Sequence, residues 1–148
     1  MPTTLSKALT HNDDSGFEFT REMLDGDVTS AINFDRLQFH PEKGYIIFEY
    51  LLCDERQQYV TPHSSHPNRY WHLNKQKFIS LWQAAQKLEA TLFLVNYAKK
   101  GTRHEDKIRV IKVLELDDNG IQKEETFECT REQFKNWFRK LNRECLKG

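Results

Sequence analysis

"INFDRLQFHPEKGYIIFEYLL", Ile32 to Leu52, sets the arrangement of everything that follows it. Two β-rich runs, residues 30–39 and 45–52, flank a Pro-Glu-Lys-Gly turn at 41–44, the pattern of an antiparallel hairpin. With the turn centred near residue 42, Phe39 pairs with Tyr45, and counting back sets Asp35 directly opposite Glu49. Opposed residues project to one face of the hairpin with Cβ atoms about 5 Å apart, and like charges so placed destabilise the pair. A slip of one residue would separate the two acids onto different faces. Ordinary ion pairs could also neutralise them, Asp35 with Arg36 or a distant arginine and Glu49 with a lysine. A divalent cation would reverse the sign of their interaction. Mg²⁺ or Mn²⁺ takes oxygen ligands, often one or two carboxylates plus a substrate phosphate. Such an ion can orient a water and stabilise the charge that develops in phosphodiester cleavage.

Working outward, the segment after the hairpin, "CDERQQYVTPHSSHPNRYWH" at 53–72, reads as a long loop, and loops of that length generally carry function or pack through their own side chains. Asn74 can cap a helix in which Phe78, Leu81, Trp82, Ala85 and Leu88 recur at spacings of three and four. "TLFLVNY", 91–97, is a continuous apolar run, the mark of a strand covered on both faces. "KIRVIKVLEL", 107–116, alternates as a strand does, and "DDNG" at 117–120 turns into a more polar strand near 121–128. Thr130 and Gln133 have the spacing of a capping box, ahead of a stripe of Phe134, Trp137, Phe138, Leu141 and Cys145. Upstream of the hairpin, residues 1–16 read as a flexible N-terminal arm. Phe17, Phe19, Met23 and Leu24 suit one or two helical turns ended by Gly26. The expected architecture is a single α/β domain over 17–148, a mixed sheet flanked by helices.

Composition fits this outline. A 148-residue chain that is 38% hydrophobic can build one ordinary core, and 22 basic residues against 22 acidic ones argue against bulk attraction to nucleic acid or membrane. Cys53, Cys129 and Cys145 are odd in number and lack CxxC spacing, which suits reduced thiols. No apolar run approaches 18 residues, and no charged-then-apolar leader opens the chain, so a cytoplasmic protein without a membrane partner is expected.

An acid on one strand, a hairpin turn, an acid on the next strand, then a helix and a buried strand resembles the PD-(D/E)XK nuclease superfamily, the core of many restriction enzymes and Holliday-junction resolvases. The resemblance covers roughly residues 17–116 and makes the closing hairpin and C-terminal helix additions to a restriction-endonuclease-like core. It implies that Asp35 and Glu49 bind Mg²⁺ or Mn²⁺ and that Glu22, in "FTREML", supplies a further acid from the preceding helix. It also implies a lysine two residues after the second acid, where this chain has Leu51; some members move that role to the following helix, where "NKQKF" offers Lys75 and Lys77. The residue before Asp35 is Phe34 where the family prefers Pro.

Two segments have the chemistry of a nucleic-acid contact. His63, His66 and Arg69 lie in "TPHSSHPNRYW", rich in donors and aromatics; Lys99, Lys100 and Arg103 follow the buried strand and could neutralise phosphates. A packed surface loop and a solvated charge run explain the same residues. A zinc site from Cys53, His63, His66 and His72 lacks the usual spacing. Two functions therefore stand. One is a metal-dependent nuclease acting on DNA, of the kind used in restriction-type or mobile-element systems. The other is a non-catalytic module of the same fold that binds nucleic acid, or a second copy or another protein through the aromatic C-terminal helix.

Overall fold

The hairpin forms in the expected register. A computed structural model describes residues 14–57 and 59–147, and in it strand β1 (Arg36–His40) pairs antiparallel with β2 (Gly44–Leu52), Phe39 opposite Tyr45 and Arg36 opposite Phe48. Extending that register by one residue sets Asp35 against Glu49. The first strand is shorter than the apolar pattern predicts, because the chain leaves the sheet at Asp35. There the backbone N–H of Asp35 donates to the Phe48 carbonyl, while its carboxylate accepts the N–H of Tyr50 at 2.8 Å. A side chain thus takes over where backbone pairing stops, and residues 31–34 peel away.

The chain then crosses through a 3₁₀ turn (Pro67–Tyr70) and helix α2 (Trp71–Leu88) to β3 (Thr91–Tyr97), which lies parallel to β2 with Glu49 beside Leu94. Strands β4 (Lys107–Asp117) and β5 (Gly120–Thr130) complete a five-stranded mixed sheet in the order β1-β2-β3-β4-β5. Helix α3 (Arg131–Leu146) ends the fold, and a separate helix α1 (Ser15–Leu24) precedes it. The expected arm at 1–16 falls largely outside the described residues, and α1 begins within its last two positions.

Alternation along the strands produces two cores. Ile47, Leu51, Leu92, Leu94 and Ile111 face α2 and meet Phe78, Leu81 and Ala85 from its apolar stripe. Ile46, Phe48, Val95 and Val110 face α3, where Trp137, Phe138 and Leu141 cover them. The central run at 91–97 is therefore apolar on both faces because both are roofed. Phe48 anchors the second core, its ring 5.3 Å from Phe93 and 5.3 Å from Phe138. The cap of α3 is the predicted box: the Thr130 hydroxyl accepts from the Gln133 N–H, and the Gln133 side chain accepts from the Thr130 N–H.

The start of α2 differs from the sequence expectation. Asn74 lies inside the helix rather than at its cap, because the 53–70 segment winds into the helix early. The His66 side chain caps the 3₁₀ turn by accepting from the Asn68 N–H, with Pro67 at its first position. Trp71 is then pinned from two sides. Its indole N–H donates to the Asp118 carbonyl at 2.8 Å, and its ring stacks on Phe78 at 5.5 Å.

Candidate active-site cleft

Glu49 and Asp35 lie on the α2 side of the sheet, near the end of the β1–β2 hairpin. Strand β2 carries Glu49 among Phe48, Tyr50 and Leu51, so its carboxyl is drawn into the protein and the residue keeps only 5% of its surface. Asp35, one residue outside β1, is exposed. A cleft of about 460 Å³ opens over Glu49, walled by Ala31, Ile32 and Asn33 on one side and by Gln76, Lys77 and Ser80 of α2 on the other. Positions 76, 77 and 80 share one helical face by their spacing of one turn.

Electrostatics in this cleft are unusual. Burial pushes the Glu49 carboxyl up to about 8, with a hydrogen bond to the Asp35 carboxylate and that group's charge adding to the rise, while the Lys77 ammonium opposes it. At neutral pH, without a counter-ion, Glu49 therefore holds its proton. One oxygen of Glu49, Oε2, is buried without a hydrogen-bond partner. Buried polar atoms left unsatisfied are rare and costly; among the described residues Asn96 Oδ1 is the other one. A carboxylate oxygen with no donor, a neighbouring carboxylate and an open cleft fit a hard divalent cation.

The other candidates are distributed as follows. Lys77 borders the cleft and acts on Glu49 electrostatically; its ammonium also lies 5.7 Å from the centre of the Phe78 ring. Lys75 is exposed on α2 and does not line the cleft. Glu22 is not brought to the acids, because α1 buries no residue and Glu22 lines a shallow surface made only of α1 and the residues ending it. Among the described residues no three His, Cys, Asp or Glu side chains converge as a ligand set. Leu51, at the family's lysine position, is buried in the core cluster that includes Trp71, Phe78 and Leu81.

His63 and His66 hold the 53–70 segment to β5 rather than facing outward. His66 Nε2 lies 2.5 Å from Glu124 Oε1, and His63 contacts the Cys129 carbonyl and the Glu128 carboxylate. Asn68, which sequence reasoning missed, makes a two-bond joint: its amide accepts the Ile121 N–H and donates to the Ile121 carbonyl, as a strand neighbour would. Only a glycine tolerates this approach at residue 120, where φ is +127° and a Cβ would fall 2.6 Å from Asn68 Oδ1. Buried Asn96 adds a second joint through the Pro62 and Ser65 carbonyls, and Arg109 a third through Ser65. The long loop is thus a packed element. Arg69 is exposed on it.

Lys99, Lys100 and Arg103 are exposed beyond the end of β3; Lys99 lines a small separate pocket with Cys53, Asp54 and Arg56. None of the three lines the Glu49 cleft. Burial raises the Cys53 thiol, which makes it a poor nucleophile. No helix among the described residues is long and apolar enough to cross a membrane. Comparison with family models, with curated proteins and with solved structures returned no match.

Proposed function

We propose that the Asp35–Glu49 pair is the cation site of a metal-dependent phosphodiesterase of the PD-(D/E)XK type, acting on DNA in the cytoplasm. The observation that carries this reading is the unpartnered Glu49 Oε2, buried beside Asp35 at the floor of an open cleft. Asp35 and Glu49 would hold Mg²⁺ or Mn²⁺, which when bound supplies charge stabilisation at the phosphate and a more acidic water. The protein's own part is separable from that. The N–H of Tyr50 fixes the Asp35 carboxylate, and burial keeps Glu49 dry and poised near neutral pH. Lys77, on the helix that follows the hairpin, takes the place of the missing strand lysine: it lowers the cost of ionising Glu49 and stands where it can steady an attacking water or a phosphate oxygen. Gln76 and Ser80, themselves 3.2 Å apart, add neutral donors on the same wall.

A second reading, a nuclease-fold module without catalysis that binds nucleic acid or protein, draws support from Leu51. Its side chain occupies the lysine's place so completely that no lysine fits without rebuilding the core. Calorimetry with Mn²⁺ followed by cleavage of supercoiled and linear DNA separates the two. The nuclease reading expects binding that is lost in Asp35→Asn and Glu49→Gln and cleavage that is lost in Lys77→Met. Cation binding without cleavage favours the module; no binding at pH 8.5 with or without DNA overturns the cation site.

A further inference from the structure

The Glu49 cleft holds less positive charge than a DNA duplex asks of a protein. A duplex presents one phosphate charge for about every 1.7 Å of its axis, and proteins that grip it neutralise several phosphates with lysine and arginine. Among the described residues Lys77 is the one cation lining the cleft; the walls are otherwise neutral, with Ile32 and Asn33 facing Gln76 and Ser80. Lys75 does not reinforce it, because a separation of two residues turns it about 160° away around α2. Two ionised carboxylates, a divalent ion and Lys77 leave one net positive charge in the cleft. That is the complement of a single phosphate.

The lips of the cleft are apolar. Ile32, on one wall, is 47% exposed, and Leu73 is 74% exposed one turn before Gln76 and Lys77 on the same face of α2. Exposed apolar side chains are ordinary when scattered singly, but these two flank one charged site from opposite walls. They also lie toward the same end of it. Helix α2 runs antiparallel to β2, since the carbonyl of Glu89, which ends the helix, comes 4.0 Å from where a Cβ on Gly44 would stand at the start of β2. Residues 31–34 precede β1, itself antiparallel to β2, and so leave Glu49 toward the C-terminal end of β2 as Leu73 does. The cleft's volume of about 460 Å³ is that of a site for one small molecule, room for one nucleotide.

We infer that the cleft takes DNA as a single strand, with one phosphate over the carboxyl pair beside Lys77 and the neighbouring bases packed on Leu73 and Ile32. Unpaired bases offer faces that apolar side chains can cover, whereas a duplex keeps those faces stacked inside. The inference rests on the cation-site reading above and adds the substrate class to it.

Fluorescence anisotropy tests this on the full chain, with a short labelled strand and the same strand annealed to its complement. Ca²⁺, a hard cation that also takes oxygen ligands, replaces Mg²⁺ in the titration. The single strand is expected to bind at least about tenfold more tightly than the duplex. The logarithm of its affinity should fall against that of salt with a slope of about −0.7, one phosphate contact on a single strand. Leu73→Gln and Ile32→Ser should each weaken single-strand binding about fivefold or more, on the scale of one exposed apolar contact, while Mn²⁺ calorimetry and thermal melts stay as in the wild type. A duplex bound as tightly as the strand overturns the inference, as does a slope of several contacts, an affinity indifferent to both changes, or no DNA binding at all. Each of these leaves the cation site standing where calorimetry still registers Mn²⁺. A wild type that binds no Mn²⁺ overturns the cation site and this inference with it.

Discussion

Glu49 decides most of what can be tested at the level of single residues. Its carboxyl titrates near 8 in the folded chain and near 4.5 when unfolded, so folding binds a proton between those values. The stabilising contribution is therefore complete below about pH 4.5, declines as pH rises through 8, and is absent above it. Without a cation, the loss across the window is on the order of a few kcal/mol. Glu49→Gln, which keeps the neutral shape, should flatten that dependence, so thermal melts at pH 5, 7 and 9 should converge for the variant and fall steadily for the wild type. Cation affinity runs the other way. Each pH unit below 8 should weaken Mn²⁺ binding about tenfold, and calorimetry in buffers of different ionisation enthalpy should register one proton released per ion at pH 7. Asp35→Asn separates charge from structure: its amide oxygen can still accept from the Tyr50 N–H, so the hairpin should melt normally while cation binding disappears.

At the level of elements, the hairpin register was legible from the turn alone, because a two-strand pair with a fixed turn admits one alignment of Phe39 with Tyr45. The helical stripe at 78–85 and the capping box at 130–133 were legible for the same reason, as periodic patterns with a local cause. What the sequence concealed depends on distant partners. Nothing in "HPNRYW" announces that Asn68 will mimic a strand against Ile121 or that His66 will meet Glu124, and so the loop's histidines looked free. The helical turns expected at 17–24 did form, but the sequence did not say that Phe17, Phe19 and Met23 would stay exposed. The Asn68 joint makes a prediction here. Gly120→Ala forces an unfavourable φ and a clash with the Asn68 amide, and should cost about 2–3 kcal/mol, read as a shift in the urea midpoint with tryptophan fluorescence as the probe.

Across the whole molecule, the sheet separates two chemistries. One face carries the acids under α2, and the other carries an aromatic core under α3, with β2 contributing alternate side chains to each. This division explains why the catalytic lysine of the resembled family has no room on β2. Position 51 points into the α2 core, so Leu51→Lys cannot deliver an ammonium to the Glu49 cleft without leaving that core. It should instead unfold the protein by 3 kcal/mol or more, on the order of an unpaired charge placed among Trp71, Phe78 and Leu81, as a denaturant titration would show. The face assignment of Glu49 was readable from period-two alternation. The identity of its roof was not, because α2's cleft wall of Gln76, Lys77 and Ser80 resembles any polar helix surface until the crossover sets it down.

The parallel pairing of β2 with β3 carries a kinetic consequence. The β4–β5 ribbon closes over a two-residue turn, Asp118–Asn119, and can form within microseconds of the chain leaving the unfolded state. By contrast, β2 and β3 are 38 residues apart along the chain, and loop closure over that length comes with a larger entropic barrier. Glu49 lies on the far side of that late seam, with Lys77 midway along the connection. The ribbon and the β1–β2 hairpin that carries the carboxyl pair can each form without a cleft, and the wall that Lys77 belongs to is set over the pair only when β2 and β3 come together.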